Sequence, residues 1–175
     1  MSDQNTTTVD SLNMNEFDKP KLPTGLNVLT ILTFIGCALQ LLGVVTGFTG
    51  AKKNYEQKDE VMSKLTSGEM PGWAKSLMPD MKNYEEMVTK SYENKLPLFI
   101  LGLVAVSLCF YGALQMRKLK KQGFTFYLIG QLLPFVTSAL FLGMFAFSGM
   151  AFTIGVGFTI LFILLYFTQR KHLIY

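Results

Sequence analysis

The chain has 175 residues, of which 50% are hydrophobic and only 16% are charged, whereas about 25% of residues are charged in an ordinary soluble domain. The 16 Lys and Arg residues and 12 Asp and Glu residues give a net charge of +4, and all lie outside the long apolar stretches. This balance excludes a disordered chain and a disulfide-stapled secreted module, and it argues against a soluble globular fold.

Long uncharged runs predict membrane-spanning helices. A helix rises about 1.5 Å per residue, so a hydrocarbon layer of about 30 Å needs about 20 apolar residues. The last run, Phe124 to Thr168, has 45 residues and is long enough for two crossings, with Ser148 and Gly149 favouring a tight outer turn at 147–149. The sequence therefore predicts an all-α protein, a four-transmembrane-helix bundle with spans at 26–48, 97–116, 124–146 and 150–168.

Short basic segments predict how these spans are oriented. The loop 117–123 contains four cations and no acid, and a basic tail at 169–175 follows the last span. The positive-inside rule places both segments in the cytoplasm, together with an amino-terminal tail at 1–25 that we expect to be disordered. The cations on which this topology depends are Arg117, Lys118, Lys120, Lys121, Arg170 and Lys171.

Three tyrosines lie close to the predicted cytoplasmic boundary. They are Tyr111, Tyr127 and Tyr166. Aromatic side chains are enriched where a membrane meets water, so we expect these three to form part of an interfacial belt.

The segment 49–96 is predicted to face the outside as a helical hairpin between spans 1 and 2. Its eight Lys and eight acidic residues cancel, and about 48 residues are marginal for an independent core. Tyr84, Met87 and Val88 begin an apolar stripe with helical spacing that leads into span 2. We expect a bend at Pro97 and a weaker helical extension of span 1.

Methionines are frequent in this outer segment, and Met78 and Met81 have a Met-x-x-Met spacing. Thioethers can bind Cu(I), although they also fill irregular gaps between short helices. We favour packing or partner contact and retain an envelope sensor or Cu(I)-binding protein as an alternative.

The predicted spans contain no charged residue, and the chain has one His and two Cys. Pumps and proton-coupled carriers usually place ionisable groups inside the membrane. We therefore predict no enzymatic activity, catalytic residue, metal site, cofactor or nucleic-acid partner. Gln40 and Gln131 are the notable intramembrane polar residues, which either join helices by hydrogen bonds or line a polar path. Pro134 should kink span 3.

Small residues one helical turn apart predict close packing between helices. Such spacing lets helix backbones approach in lipid, and it does not distinguish packing within the chain from contact with another chain. We expect the partner to be another membrane protein or a second copy. The predicted packing residues are Gly43, Gly47, Cys109, Ala113, Ala139, Gly143, Ala151 and Gly155.

Two segments carry a resemblance. Residues 23–36, PTGLNVLTILTFIG, and the basic segment 116–127, MRKLKKQGFTFY, are similar to the start of the first span and to the basic turn of small uncharacterised four-span bacterial inner-membrane proteins. The resemblance implies this architecture and a bacterial inner-membrane location, with no site residues to transfer. Together, these features favour an accessory or scaffold subunit of a membrane assembly over a small transporter or channel formed by oligomerisation.

Overall fold

The structure is a computed structural model that describes residues 22–68, 71–77, 81–147 and 149–173. Most of the amino-terminal tail predicted to be disordered lies outside these residues. In the part that is described, the chain is helical and contains no strand. The helices are α1 (Thr24–Glu56), α2 (Lys58–Ser67), α3 (Gly72–Leu77), α4 (Met81–Glu93), α5 (Lys95–Arg117), α6 (Gln122–Phe141) and α7 (Met150–Gln169), with short 3-10 helices at Met144–Phe147 and Arg170–His172.

Four of these helices, α1, α5, α6 and α7, are long and apolar enough to cross a membrane. The predicted all-helical chain with four such helices is therefore confirmed. The 33 residues of α1 correspond to about 50 Å, which exceeds the hydrocarbon layer by about 20 Å. α1 thus continues past the predicted span end at residue 48 and stops at Glu56, where Gln57 leaves the helical conformation (φ −93°, ψ 3°).

The chain bends before α5 at Asn94, whereas the sequence predicted the bend at Pro97. Asn94 has φ −103° and ψ 23°. Pro97 is the third residue of α5, in the first turn, where a missing N–H breaks no helical hydrogen bond. The Asn94 side-chain amide donates to the carbonyl oxygens of Lys90 (3.0 Å) and Phe141 (3.4 Å), which ties this bend to the end of α6.

The connection between α6 and α7 is longer than the predicted turn at 147–149. α6 ends at Phe141, and Gly143 follows with φ +82°, its N–H donating to the carbonyl of Ser138 at 3.0 Å. A left-handed residue after the last turn commonly ends a helix, and glycine adopts it without a steric penalty. Gly143, predicted to pack with Ala139 on one helix face, therefore lies beyond the helix.

Helices α5 and α6 make the most extensive contact, followed by α1 and α5. The backbones of α5 and α6 meet at glycines: a Cβ on Gly112 would lie 2.5 Å from the backbone nitrogen of Tyr127 and 2.7 Å from the carbonyl oxygen of Gly123. A Cβ on Gly130 would lie 2.7 Å from the backbone nitrogen of Cys109. Only glycine fits at these positions, because the opposing atoms are backbone atoms that cannot turn aside.

The segment between α1 and α5 is held against the far end of α1 by aromatic and charged contacts. The rings of Tyr55 and Tyr92 stack with centroids 4.8 Å apart. Lys58 lies over the Tyr55 ring at 4.9 Å and Lys95 over the Tyr92 ring at 4.8 Å. Lys58 also approaches Glu85 of α4 at 3.6 Å. These contacts attach α4 to α1.

The basic loop after α5 contains a left-handed residue that is not glycine. Leu119 has φ +58°. Its N–H donates to the backbone carbonyl of Met116 at 2.9 Å, and the N–H of Lys120 donates to the backbone carbonyl of Gln115 at 3.0 Å. This pair of bonds is the Schellman pattern. A leucine here costs about 1–2 kcal/mol of backbone strain, offset by burial of its side chain in the core. Lys118 and Lys120, on either side, are exposed.

Substituting Gly112 should separate α5 from α6. We expect Gly112→Ala to lower the free energy of unfolding by about 1–3 kcal/mol, because the added methyl group overpacks a backbone contact. The measurement is thermal or denaturant unfolding in detergent, followed by circular dichroism. Gly155→Ala is the matched control: nothing lies within 4 Å of a Cβ there, so alanine should be neutral or stabilising by up to about 1 kcal/mol. Equal losses in both variants would contradict this account.

Candidate functional site

Most hydroxyl side chains in the spanning helices are satisfied within their own helix. Thr30 donates to the carbonyl of Asn27 at 2.9 Å, Ser107 to that of Leu103 at 2.8 Å, and Thr137 to that of Leu133 at 2.8 Å. Such backward bonding uses the hydroxyl donor within the helix itself.

Thr33 is different, because its hydroxyl group bonds across helices. It shares a hydrogen bond with the Tyr166 hydroxyl group at 2.7 Å. The Tyr166 ring packs on the Tyr127 ring with centroids 4.6 Å apart, and the Gln131 amide donates to the Tyr127 hydroxyl group at 3.1 Å. α1, α6 and α7 are thereby joined by a chain of neutral polar groups. We call Thr33, Gln40, Tyr127, Gln131 and Tyr166 the polar cluster.

Gln40 and Gln131, singled out from the sequence, line the same cavity. The cavity has a volume of about 120 Å³, enough for several water molecules. Its lining supplies amide and hydroxyl donors and acceptors and no charge, which suits water or a small neutral polar molecule better than an ion. The lining residues are Leu32, Thr33, Gly36, Cys37, Gln40, Tyr127, Gln131 and Phe162.

Tyr127 and Tyr166 are only 1% exposed, although the sequence predicted them to lie in an interfacial belt. Their rings turn towards each other across α6 and α7, and the buried hydroxyl groups are satisfied by Gln131 and Thr33. Tyr111, by contrast, is 46% exposed. Its hydroxyl group accepts from Gln115, one turn further along α5, at 2.5 Å.

Sequence reasoning found one side of the α5–α6 contact and missed the other. Cys109, of the predicted pair Cys109 and Ala113, lies against Gly130 at this contact, and both residues of the pair are buried. The glycines opposite, Gly123 and Gly130, are seven residues apart, which returns them to the same helix face after two turns. A search for seven-residue spacing would have found them, whereas the spacing of four did not.

Three of the other predicted packing residues, all glycines, have open space beside them in the part of the chain that the structure describes. Nothing lies within 4 Å of a Cβ built on Gly43, Gly47 or Gly155, and all three are exposed, meaning that the chain itself does not cover them. Ala139 is also exposed, and the side chain of Ala151 lies outside the described residues. Pro134 lies inside α6, which stays helical on both sides of it.

The predicted topology cations gather at one end of the helices. Arg117 and Lys121 flank the α5–α6 loop, and Arg170 follows α7. The Arg170 guanidinium carbon lies 5.8 Å from the centroid of the Phe124 ring at the start of α6. The ends of α5 and α7 and the start of α6 therefore carry their cations side by side.

The predicted Cu(I) pair is not tested. Met78 lies outside the described residues, as does the side chain of Met81. Among the residues that the structure does describe, no group of three or more His, Cys, Asp or Glu side chains lies close enough together to hold a metal ion. The Met-x-x-Met hypothesis stays a prediction.

Comparison of the chain with protein-family models, with curated proteins and with solved structures finds no match. The resemblance to four-span inner-membrane proteins therefore stays a prediction.

Proposed function

We propose that this protein is a non-enzymatic, four-span protein of the bacterial inner membrane that acts as an accessory or scaffold subunit by binding another membrane helix. The observation that carries the proposal is the open glycine pair on α1. A helical glycine costs about 1 kcal/mol relative to alanine, and among the described residues nothing packs beside Gly43 or Gly47 to offset this cost. Close approach of a second helix would do so.

The surroundings of these glycines support an interface. Gly43 and Gly47 form one wall of a groove of about 170 Å³ between α1 and the start of α5. Its other walls consist of apolar side chains together with one serine and one lysine. An incoming helix would find both a packing surface and hydrogen-bond partners there. The groove is lined by Gly43, Val44, Gly47, Phe48, Ser91, Lys95, Leu98 and Phe99.

The charge distribution supports a cytoplasmic location for both termini. The loop between α5 and α6 and the segment after α7 carry the six topology cations, and the positive-inside rule places them in the cytoplasm. α2, α3 and α4 then form the extracytoplasmic segment. The four spans form a bundle in this arrangement, with α2 to α4 as a helical hairpin that leans on α1.

The interface is tested by enlarging the glycines. We expect the double variant Gly43→Leu/Gly47→Leu to reduce at least tenfold the fraction recovered from native membranes as a stoichiometric complex, whether with another protein or a second copy. A loss of only about 1.4 kcal/mol suffices for this factor. Val136→Phe, which enlarges an exposed side chain on α6 outside the predicted packing pairs, should leave the complex intact. A wild-type monomer in several mild detergents, or an unaffected double variant, would refute the proposal.

The orientation is tested by reporter fusions. Alkaline phosphatase inserted after Gly68 should be active, because that site faces the periplasm, whereas a fusion after Tyr175 should be inactive. A cytoplasmic reporter at the same two sites should show the opposite pattern. Activity of alkaline phosphatase at the carboxyl end would overturn the assigned topology.

A second candidate is a small transporter or channel formed by oligomerisation, favoured by the shared cavity of Gln40 and Gln131. Reconstituted vesicles should then pass a small neutral solute such as glycerol faster than empty vesicles. Gln131→Leu should lower this flux several-fold because it removes an amide from the cavity. Gln115→Leu, at the end of α5 and outside the cavity, is the control. Folded wild-type protein that gives no flux above empty vesicles would eliminate this candidate.

A further inference from the structure

A groove between α1 and α5 combines apolar walls with a cation at one end. Its volume is about 370 Å³. The rings of Phe34 and Phe110 lie 5.1 Å apart and mark one end, and two helical turns on each helix give a length of about 10 Å. The walls are formed by Phe34, Cys37, Ala38 and Leu41 of α1 and by Leu103, Val106, Ser107 and Phe110 of α5.

The lining of the groove suits an acyl chain. Seven of its eight residues are apolar, and the one hydroxyl group, that of Ser107, already donates to the carbonyl of Leu103. An acyl chain needs apolar contact alone, which this lining provides.

Arg117 lies beside the phenylalanine end of the groove. Its guanidinium carbon lies 5.8 Å from the centroid of the Phe34 ring, and the side chain is exposed. Within the described ranges, the ion pairs of the protein involve lysines between α1 and α4, and none involves Arg117. A planar guanidinium group with free N–H donors is suited to a phosphate.

The surrounding charge also favours an anion. Every acidic residue after Asp18 lies between Glu56 and Glu93, which places these acids towards the opposite ends of the spanning helices. The helix ends near Arg117 instead carry the other topology cations, and basic groups close to a bilayer attract anionic lipid.

We propose that this groove binds one acyl chain of an anionic phospholipid, in the leaflet at the Arg117 end of α5, while Arg117 donates hydrogen bonds to the lipid phosphate. The headgroup supplies the anion and the acyl chain fills the space between α1 and α5, so a single lipid accounts for both features. The site does not include the glycine pair on α1, and it needs only that the chain spans a bilayer.

Lipid binding in the groove can be measured by the quenching of the fluorescence of a tryptophan placed in it. Trp73 is the only tryptophan, so a Trp73→Phe variant has no tryptophan fluorescence. Phe110→Trp in that variant then gives a fluorescence signal from the groove alone. The full chain is reconstituted in vesicles with brominated phosphatidylglycerol or brominated phosphatidylcholine. We expect about a tenfold preference for phosphatidylglycerol, because the choline ammonium of phosphatidylcholine cancels the phosphate charge and repels the Arg117 guanidinium group; this factor corresponds to about 1.4 kcal/mol. Phe158→Trp on the exposed face of α7 should show no such preference.

Two further substitutions separate the phosphate contact from general attraction. Arg117→Gln should remove most of the preference, whereas Arg170→Gln, which removes the same charge away from the groove, should retain it. Equal effects of the two would overturn the proposal in favour of surface potential alone. Ala38→Phe should weaken quenching by both lipids because it fills the groove, and unchanged quenching in a folded Ala38→Phe variant would also overturn it. Since the chain is measured alone, failure here is distinct from failure of the glycine interface.

Discussion

The direct backbone contact between α5 and α6 is the constraint on which the other contacts depend. Gly112 and Gly130 bring the two helices within a distance that any side chain would prevent. This contact sets the depth and rotation of Tyr127, whose ring then meets Tyr166 of α7, and Tyr166 in turn bonds to Thr33 of α1. In hydrocarbon, where burial of apolar surface gives no net attraction, helix association rests on such packing and hydrogen bonds.

The number and type of the spanning helices follow from hydropathy alone, because unpaired backbone groups are not tolerated in lipid. Their ends do not follow as directly. α6 stops at Phe141 because Gly143 adopts a left-handed conformation, and α5 begins after Asn94 rather than at Pro97. Leu119 shows the limit most clearly, since its left-handed conformation is maintained by burial, which is a tertiary effect that local residue preferences do not report.

The sequence indicates which residues of the candidate site are unusual, but it does not indicate how the folded chain brings them together. Gln40 and Gln131 stand out because amides are costly in a membrane, yet their shared cavity depends on how α1 and α6 are rotated. Tyr127 was predicted to be interfacial because a tyrosine near a span end usually is; a buried partner on α7 makes it part of the core instead. The groove beside Arg117 likewise depends on how α1 packs against α5, which no spacing of residues along the chain reveals.

The length of α1 has a mechanical consequence. α1 is one uninterrupted helix. Its first half forms part of the wall of the cavity lined by Gln40 and Gln131, and its last turn carries Tyr55, which stacks on Tyr92. If α1 moves as one rigid body, a displacement applied at Tyr55 shifts Gln40 with respect to Gln131 and alters the width of the cavity that they line. A contact made at the Tyr55 end of α1 is thereby linked through one continuous helix to the cavity between the spans.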